Sequence, residues 1–276
     1  MKYTETNMPS VCMLSDSTCY ENTQLMQIKG VLWHSTGADN PELKRYVQPS
    51  DNASDREQWI KRLGKNIYGN DLNHMEAGIG LNAFIGKMAD GSVASVQTMP
   101  WNYRPWGCGG GSKGSCNDGW IQFEICEDDL TDKNYFEKVY REACELTAYL
   151  CKAYGLNPKG MVSFKGVNVP VILCHADSYQ LGLGSNHGDV YHWFSRYGKT
   201  MDTVRNDVSA ILSAEKNFLV RVTADALNIR SGAGINNELT GVIRDKGIYT
   251  ITETKNNWGR LKSGAGWISL DYTIVI

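Results

Sequence analysis

Histidine is scarce in this chain, with five in 276 residues. Basic charge is not in excess either: the formal net charge is -2, which removes the electrostatic case for nucleic acid. No stretch approaches the roughly 18 apolar residues that span a bilayer, so no membrane segment is expected. The polar N-terminus, Met1 to Ser10, has no basic region followed by an apolar one. No secretory signal is therefore expected, and synthesis in the cytoplasm follows. None of the eight cysteines forms a C-x-x-C pair, which argues against a structural zinc ribbon. Cys12/Cys19 and Cys108/Cys116 are close enough in sequence to pair locally, but free thiols are the expectation for cytoplasmic synthesis.

What is present is a 42% hydrophobic fraction, ample for a core, with 14 Tyr and 8 Trp. Such aromatics suit carbohydrate or glycopeptide surfaces, but residue by residue core and interface packing takes the larger share. The first two hundred residues read as mixed α/β. Val31 to Trp33 predicts a strand and Glu57 to Leu63 a helix. Gly80 to Gly86 predicts a second strand, and Ala89-Asp90-Gly91-Ser92 a hairpin turn with Val93 to Val96 returning. Ile121 to Ile125 and Pro170 to Cys174 predict further strands. Phe136 to Tyr154 carries a helical stripe, with Gly155 as its stop, and Lys199 to Ser213 a last helix. This alternation implies a central β-sheet flanked by helices. After about residue 214, short strands with glycine turns predict a small all-β barrel. The expected division is residues 1–213, a linker at 214–218, and residues 219–276.

The few histidines are grouped. Cys174-His175-Ala176-Asp177, Asn186-His187-Gly188-Asp189 and His192 share one short segment, and His34 closes the run Gly30 to Trp33. Two imidazoles and a carboxylate from distant positions can form an open, catalytic zinc site. His34, His175 and Asp189 would converge if the strand ending at His34 neighbours the strand ending at His175. Zinc in such a site lowers the pKa of bound water toward ~7 and polarises a carbonyl, which is amide or ester hydrolysis chemistry. A proton shuttle and an oxyanion donor are then needed. Glu124, mid-strand among apolar residues, and His187, two residues before Asp189, are the candidates. A mid-strand Glu is more often simply solvent-facing. His192 reads as structural, His74 as exposed, and Asp177 as support for His175 or a turn cap.

These segments carry a resemblance. Val31-Leu32-Trp33-His34-Ser35-Thr36-Gly37, Ile121-Gln122-Phe123-Glu124-Ile125 and His175-Ala176-Asp177 with a downstream His-Gly-Asp resemble the zinc N-acetylmuramoyl-L-alanine amidases, over roughly residues 20 to 200. These are amidases of the phage-lysozyme and peptidoglycan-recognition-protein type. The resemblance implies zinc ligands at His34, His175 and Asp189, a general base at Glu124, and a catalytic helper at His187, where lysine is common. Histidine there would make activity more pH-sensitive. Where some members have a catalytic tyrosine, this sequence has Leu81 and Asn82, which favours Glu124 as the base. The loop Trp106-Gly107-Cys108-Gly109 lacks the histidine that many relatives carry after the tryptophan.

Residues 219–276 resemble a bacterial SH3-like domain through Ala226-Leu227-Asn228-Ile229-Arg230-Ser231-Gly232, Trp258-Gly259-Arg260-Leu261 and Gly266-Trp267-Ile268. That implies a module that holds the chain on bacterial peptidoglycan and raises its local concentration. Trp258, Trp267, Tyr249 and Tyr272 are candidate groove aromatics or core residues. The resemblances together imply a wall hydrolase, as a phage or prophage endolysin acting at the cell wall after release, with a host autolysin as the rival. The alternatives are a peptidoglycan-binding protein without catalysis and a zinc peptidase acting on the stem peptide.

Overall fold

The structure, a computed structural model, describes residues 1–215 and 217–276. Residues 2–209 form one compact unit and residues 210–276 another. The linker expected at 214–218 includes Lys216, which lies outside the described residues. No helix among the described residues is long and apolar enough to cross a membrane.

The first unit contains β1 (Ser10–Val11), α1 (Thr18–Asn22), β2 (Gly30–Ser35), α2 (Arg56–Leu63), β3 (Ala83–Lys87), β4 (Val93–Gln97) and β5 (Trp120–Ile125). It continues with α3 (Lys133–Ala153), β6 (Met161–Phe164), β7 (Val167–Pro170), β8 (Ile172–Cys174), α4 (His175–Gln180) and α5 (Tyr191–Phe194). The division between the units falls within α6 (Met201–Glu215).

Six strands form one mixed sheet in the order β1-β4-β3-β5-β2-β8. The pairs β2/β5, β2/β8, β3/β5 and β1/β4 are parallel, and β3/β4 is the antiparallel hairpin. The central strands are buried on both faces, as parallel strands require, but only one face is apolar throughout. Val31, Trp33, Ile121, Phe123 and Ile125 are fully buried. Trp33 and Phe123 share one face, and Trp33 meets Tyr140 of α3 and Phe194 of α5 at ring centroid distances of 6.3 and 6.0 Å.

The helix α3 packs on that face because its buried residues recur at helical spacing: Phe136, Val139, Tyr140, Ala143, Leu146, Thr147 and Leu150. Asp132 caps it, its side chain accepting from the Tyr135 N–H at 3.0 Å. Gly155, with φ of 63°, ends it in the left-handed conformation that glycine adopts without strain.

Two expected strands differ from the structure. The strand expected from Gly80 starts at Ala83, although the Asn82 N–H still donates to the Gln122 carbonyl at 2.9 Å. The Asn82 side chain accepts from the Gln122 N–H and donates to the carbonyls of Pro100 and Tyr103, each at 3.0 Å. The expected strand from Pro170 starts at Ile172, because residues 167–170 turn back on 161–164 as a separate hairpin.

The second unit is an all-antiparallel seven-stranded sheet in the order β11-β10-β14-β13-β12-β9-β15. Its strands are β9 (Phe218–Val222), β10 (Leu227–Arg230), β11 (Leu239–Ile243), β12 (Ile248–Lys255), β13 (Trp258–Leu261), β14 (Trp267–Ser269) and β15 (Thr273–Val275). Val220, Val222, Leu227, Ile243, Ile251, Leu261 and Ile268 form its core, with Tyr249 packed against it. Trp258 and Trp267 are half-buried and outside that core. The register pairs Arg260 with Trp267 and Lys255 with Trp258, so both indoles share the outer face with Arg260.

Candidate metal centre

Parallel pairing places chemistry at one end of the sheet. The register aligns His34 with Glu124, so both side chains rise from the same face of neighbouring strands. Gln122, two residues earlier on β5, shares that face. On the other side of β2, Trp33 aligns with Cys174, so His175 leaves β8 level with His34 and opens α4. The convergence required by the sequence reading therefore follows from β2 and β8 being neighbours. Asp189 returns on the loop before α5, held by its carbonyl accepting from the Ala176 N–H at 2.9 Å. The Asp189–Val190 peptide is cis.

His34, His175 and Asp189 are buried, and one donor atom from each lies within 4.8 Å of the others. The separations are 3.1 Å between the two Nδ1 atoms, 3.1 Å from His34 Nδ1 to Asp189 Oδ2, and 3.4 Å from His175 Nδ1 to Asp189 Oδ1. A tetrahedral zinc with ligands at ~2.0–2.1 Å holds its donor atoms about 3.3 Å apart. Each of these separations is close to that spacing, although the two rings face different Asp189 oxygens, and the donor set is that of a three-ligand zinc site. Burial alone would raise the Asp189 carboxyl. The two imidazoles beside it, His175 and His34, outweigh that and hold it well below the usual carboxylate range.

The far side of each ring is also engaged. His34 Nε2 lies 2.8 Å from Gln122 Oε1, and His175 Nε2 lies 3.1 Å from Ser185 Oγ. Metal-ligating histidines characteristically use the second nitrogen in this way.

Glu124 is partly exposed as a residue, yet its Oε2 is buried without a hydrogen-bond partner. Burial pushes its carboxyl well above the usual range, and the charges of Asp189 and Glu127 push the same way. His187 is mostly exposed, stacks on the His175 ring at 4.5 Å and 9°, and puts Nδ1 4.0 Å from Asp189 Oδ1. His192 stands apart from the cluster and bonds Glu127 at 2.9 Å. That same Glu127 oxygen accepts from the Gly37 N–H at 3.0 Å, so the carboxylate braces the loop after β2 against α5. Asp177 accepts from the Cys174 N–H at 3.4 Å and from Tyr191 Oη at 2.7 Å. His74 is bonded rather than idle, to buried Asp71 at 2.7 Å. All eight cysteines are free and buried.

The residue pattern matches one family profile. The profile of N-acetylmuramoyl-L-alanine amidase covers residues 24–194, more than half of the chain. The chain belongs to the N-acetylmuramoyl-L-alanine amidase family. The amidase match includes His34, Glu124, His175, His187 and Asp189. Among solved structures the amidase chain is similar to the Staphylococcus aureus hydrolase AmiA in complex with its ligand, at 18% identity and TM-score 0.48, over 75% of this chain and 85% of that one. It is similar to PlyL at 15% identity and TM-score 0.42, over 72% and 94% of the two chains. The PlyG catalytic domain gives 17% identity and TM-score 0.43, again over 72% and 94%. No curated protein sequence gives a significant match to this amidase.

The sequence reading passed over Gln122, Asn117, Ser185, Glu127 and Tyr46. Tyr46 stacks on Phe84 at 5.7 Å, feels the charge of Glu124, and is pushed up to about 12 by burial. A signal for Gln122 was available: a glutamine two residues before Glu124 must share its face.

Proposed function

We propose that the chain hydrolyses the amide joining the lactyl group of N-acetylmuramic acid to L-alanine in bacterial peptidoglycan, with zinc held by His34, His175 and Asp189. The observation that carries this is the buried trio His34, His175 and Asp189, with Nδ1 atoms 3.1 Å apart and carboxylate oxygens 3.1 and 3.4 Å from one ring and the other, beside an unpartnered carboxyl oxygen of Glu124. When bound, zinc would polarise the scissile carbonyl, lower the pKa of water, and supply positive charge that opposes the upward shift of Glu124.

The chain's own groups cover the remaining steps. Glu124 takes a proton from the attacking water and returns it to the leaving L-alanine amine. His187, exposed and stacked on His175, stands at the open side of the cluster as a hydrogen-bond donor to the developing oxyanion. The second unit serves as an SH3-like wall-binding module, with Trp258 and Trp267 on its outer face as contact groups. We divide the chain functionally into a catalytic domain, 1–213, and a wall-binding domain, 219–276. Its role is wall lysis, as by a phage or prophage endolysin.

Digestion of purified walls tests the reaction. It should release L-alanine amino termini without new reducing sugar ends. New amino groups on other residues would support a stem-peptide peptidase, and no release by the zinc-loaded chain would support a binding protein without catalysis. His34→Ala and Asp189→Ala should each lose zinc on metal analysis and lose lysis. Full lysis by either variant would refute the ligand assignment.

A further inference from the structure

The rear partners of both imidazoles trace back to one residue, Cys108. Its backbone N–H can only donate, and it points at Asn117 Oδ1 at 3.1 Å. The Gly109 carbonyl can only accept, and Asn117 Nδ2 faces it at 3.4 Å. These two groups fix which end of the Asn117 amide is oxygen. Asn117 Oδ1 then requires a donor from Gln122, whose Nε2 lies 2.9 Å away. The other end of the Gln122 amide is consequently its oxygen, 2.8 Å from His34 Nε2. An oxygen there demands a proton on Nε2, which in the neutral imidazole leaves Nδ1 of His34 with a free lone pair.

The second ring follows the same logic from the other side of the Cys108 residue. The Cys108 carbonyl accepts from the Ser185 N–H at 2.8 Å and from its hydroxyl at 3.3 Å. The hydroxyl has one proton, and the Cys108 carbonyl and His175 Nε2, 3.1 Å away, both lie within its reach. Turned to the carbonyl, the hydroxyl leaves Oγ to accept from the ring. In that rotamer His175 also carries its proton on Nε2 and presents Nδ1 bare.

We propose that the backbone of Cys108 sets the tautomer of both histidines, its N–H through Asn117 and Gln122 to His34 and its C=O through Ser185 to His175. Asn117, Gln122 and Ser185 are positioning residues. The glycine-rich loop gains a role that needs no histidine in it. Gly107 permits the arrangement, since a Cβ there would lie 2.3 Å from Gln122 Oε1 and 3.2 Å from His34 Nε2. Neither imidazole has to change tautomer before it can act as a ligand through Nδ1.

The test uses the full chain with labelled histidine nitrogen, zinc-loaded and chelated, in alkaline buffer. Long-range proton–nitrogen correlation should show His34 and His175 protonated on Nε2 in both states. In Gln122→Met, His34 should lose its single tautomer and zinc affinity should fall about 10- to 100-fold, with His175 unchanged. Ser185→Ala should do the converse. A proton on Nδ1 of either ring in the chelated wild-type chain overturns the proposal. So do variants that keep both the wild-type tautomers and the wild-type affinity. The affinity arm rests on the zinc reading above, while the tautomer arm does not. Rings protonated on Nε2 in a chain that binds no zinc would uphold this assignment and sink the metal reading.

Discussion

Replacing Glu124 by Gln separates catalysis from stability. The Glu124 carboxyl has a buried, unpartnered oxygen and neighbours of its own sign, Asp189 and Glu127. Its folded pKa is raised, so the stability it contributes is fully present below the unfolded value near ~4.3 and is lost as pH rises through the folded value. An amide in its place cannot ionise and escapes that loss. For the chelated protein, Glu124→Gln should therefore be nearly neutral at pH ~5. At pH ~8 it should stabilise by about 1–3 kcal/mol, the cost of a buried polar group left unmatched. Each kcal/mol moves the thermal midpoint of a unit this size by about 2–4 °C. Zinc should shrink the gain, because its charge relieves the same carboxylate. The same substitution should lower turnover by at least about 100-fold, as expected for loss of a general base. The assay is urea unfolding of both proteins at the two pH values, with chelator and with zinc, beside wall digestion. A stability difference that does not grow with pH would refute the account of Glu124 as a strained base.

Other perturbations reach different parts of the molecule. Gly30→Ala would place a Cβ 2.2 Å from the Val171 carbonyl and 2.3 Å from Trp120 Nε1; urea unfolding should show a loss of about 1–3 kcal/mol or more. Trp33→Ala should cost about 3–5 kcal/mol by the same measurement, because the fully buried indole joins the sheet to α3 and α5. The His192 imidazole is raised by its hydrogen bond to Glu127, so its contribution is present below about pH 6.5 and is lost as pH climbs through the folded value. His192→Gln should accordingly destabilise more at pH ~6 than at pH ~9, by under about 1 kcal/mol because the ring is 38% exposed. Trp258→Ala with Trp267→Ala should weaken sedimentation with walls by roughly tenfold while leaving cleavage of a soluble muropeptide unchanged.

The parts of this molecule legible in its sequence were those written as periodic runs. The stripe of α3 and the alternation in β5 located both elements, although α3 starts at Lys133, three residues before the first apolar position, because Asp132 caps it. The all-β character of the second unit was legible from glycine turns, but β11 and β15 were not, since Leu239 to Ile243 and Thr273 to Val275 are largely exposed and carry little apolar alternation. His34, His175 and Asp189 stand out in the sequence by their chemistry, and the adjacency of β2 and β8 brings the two histidines together. Asn117 and Ser185 leave no comparable mark, and Gln122 only its place two residues before Glu124. Their importance lies in which atom faces which, and sequence does not encode amide orientation.

The position of β8 has a mechanical meaning. It is a three-residue strand at the edge of the sheet, paired among the described residues with β2 alone. His175 follows it directly, while His34 belongs to the sheet interior, 141 positions earlier in the chain. An ion joining the two would fasten a loose hem to the cloth. It would close a loop whose unfolded-chain entropy is worth on the order of 5 kcal/mol in the simplest treatment. Chelation would then do more than silence chemistry. It would remove a tie between the edge strand and the interior of the sheet.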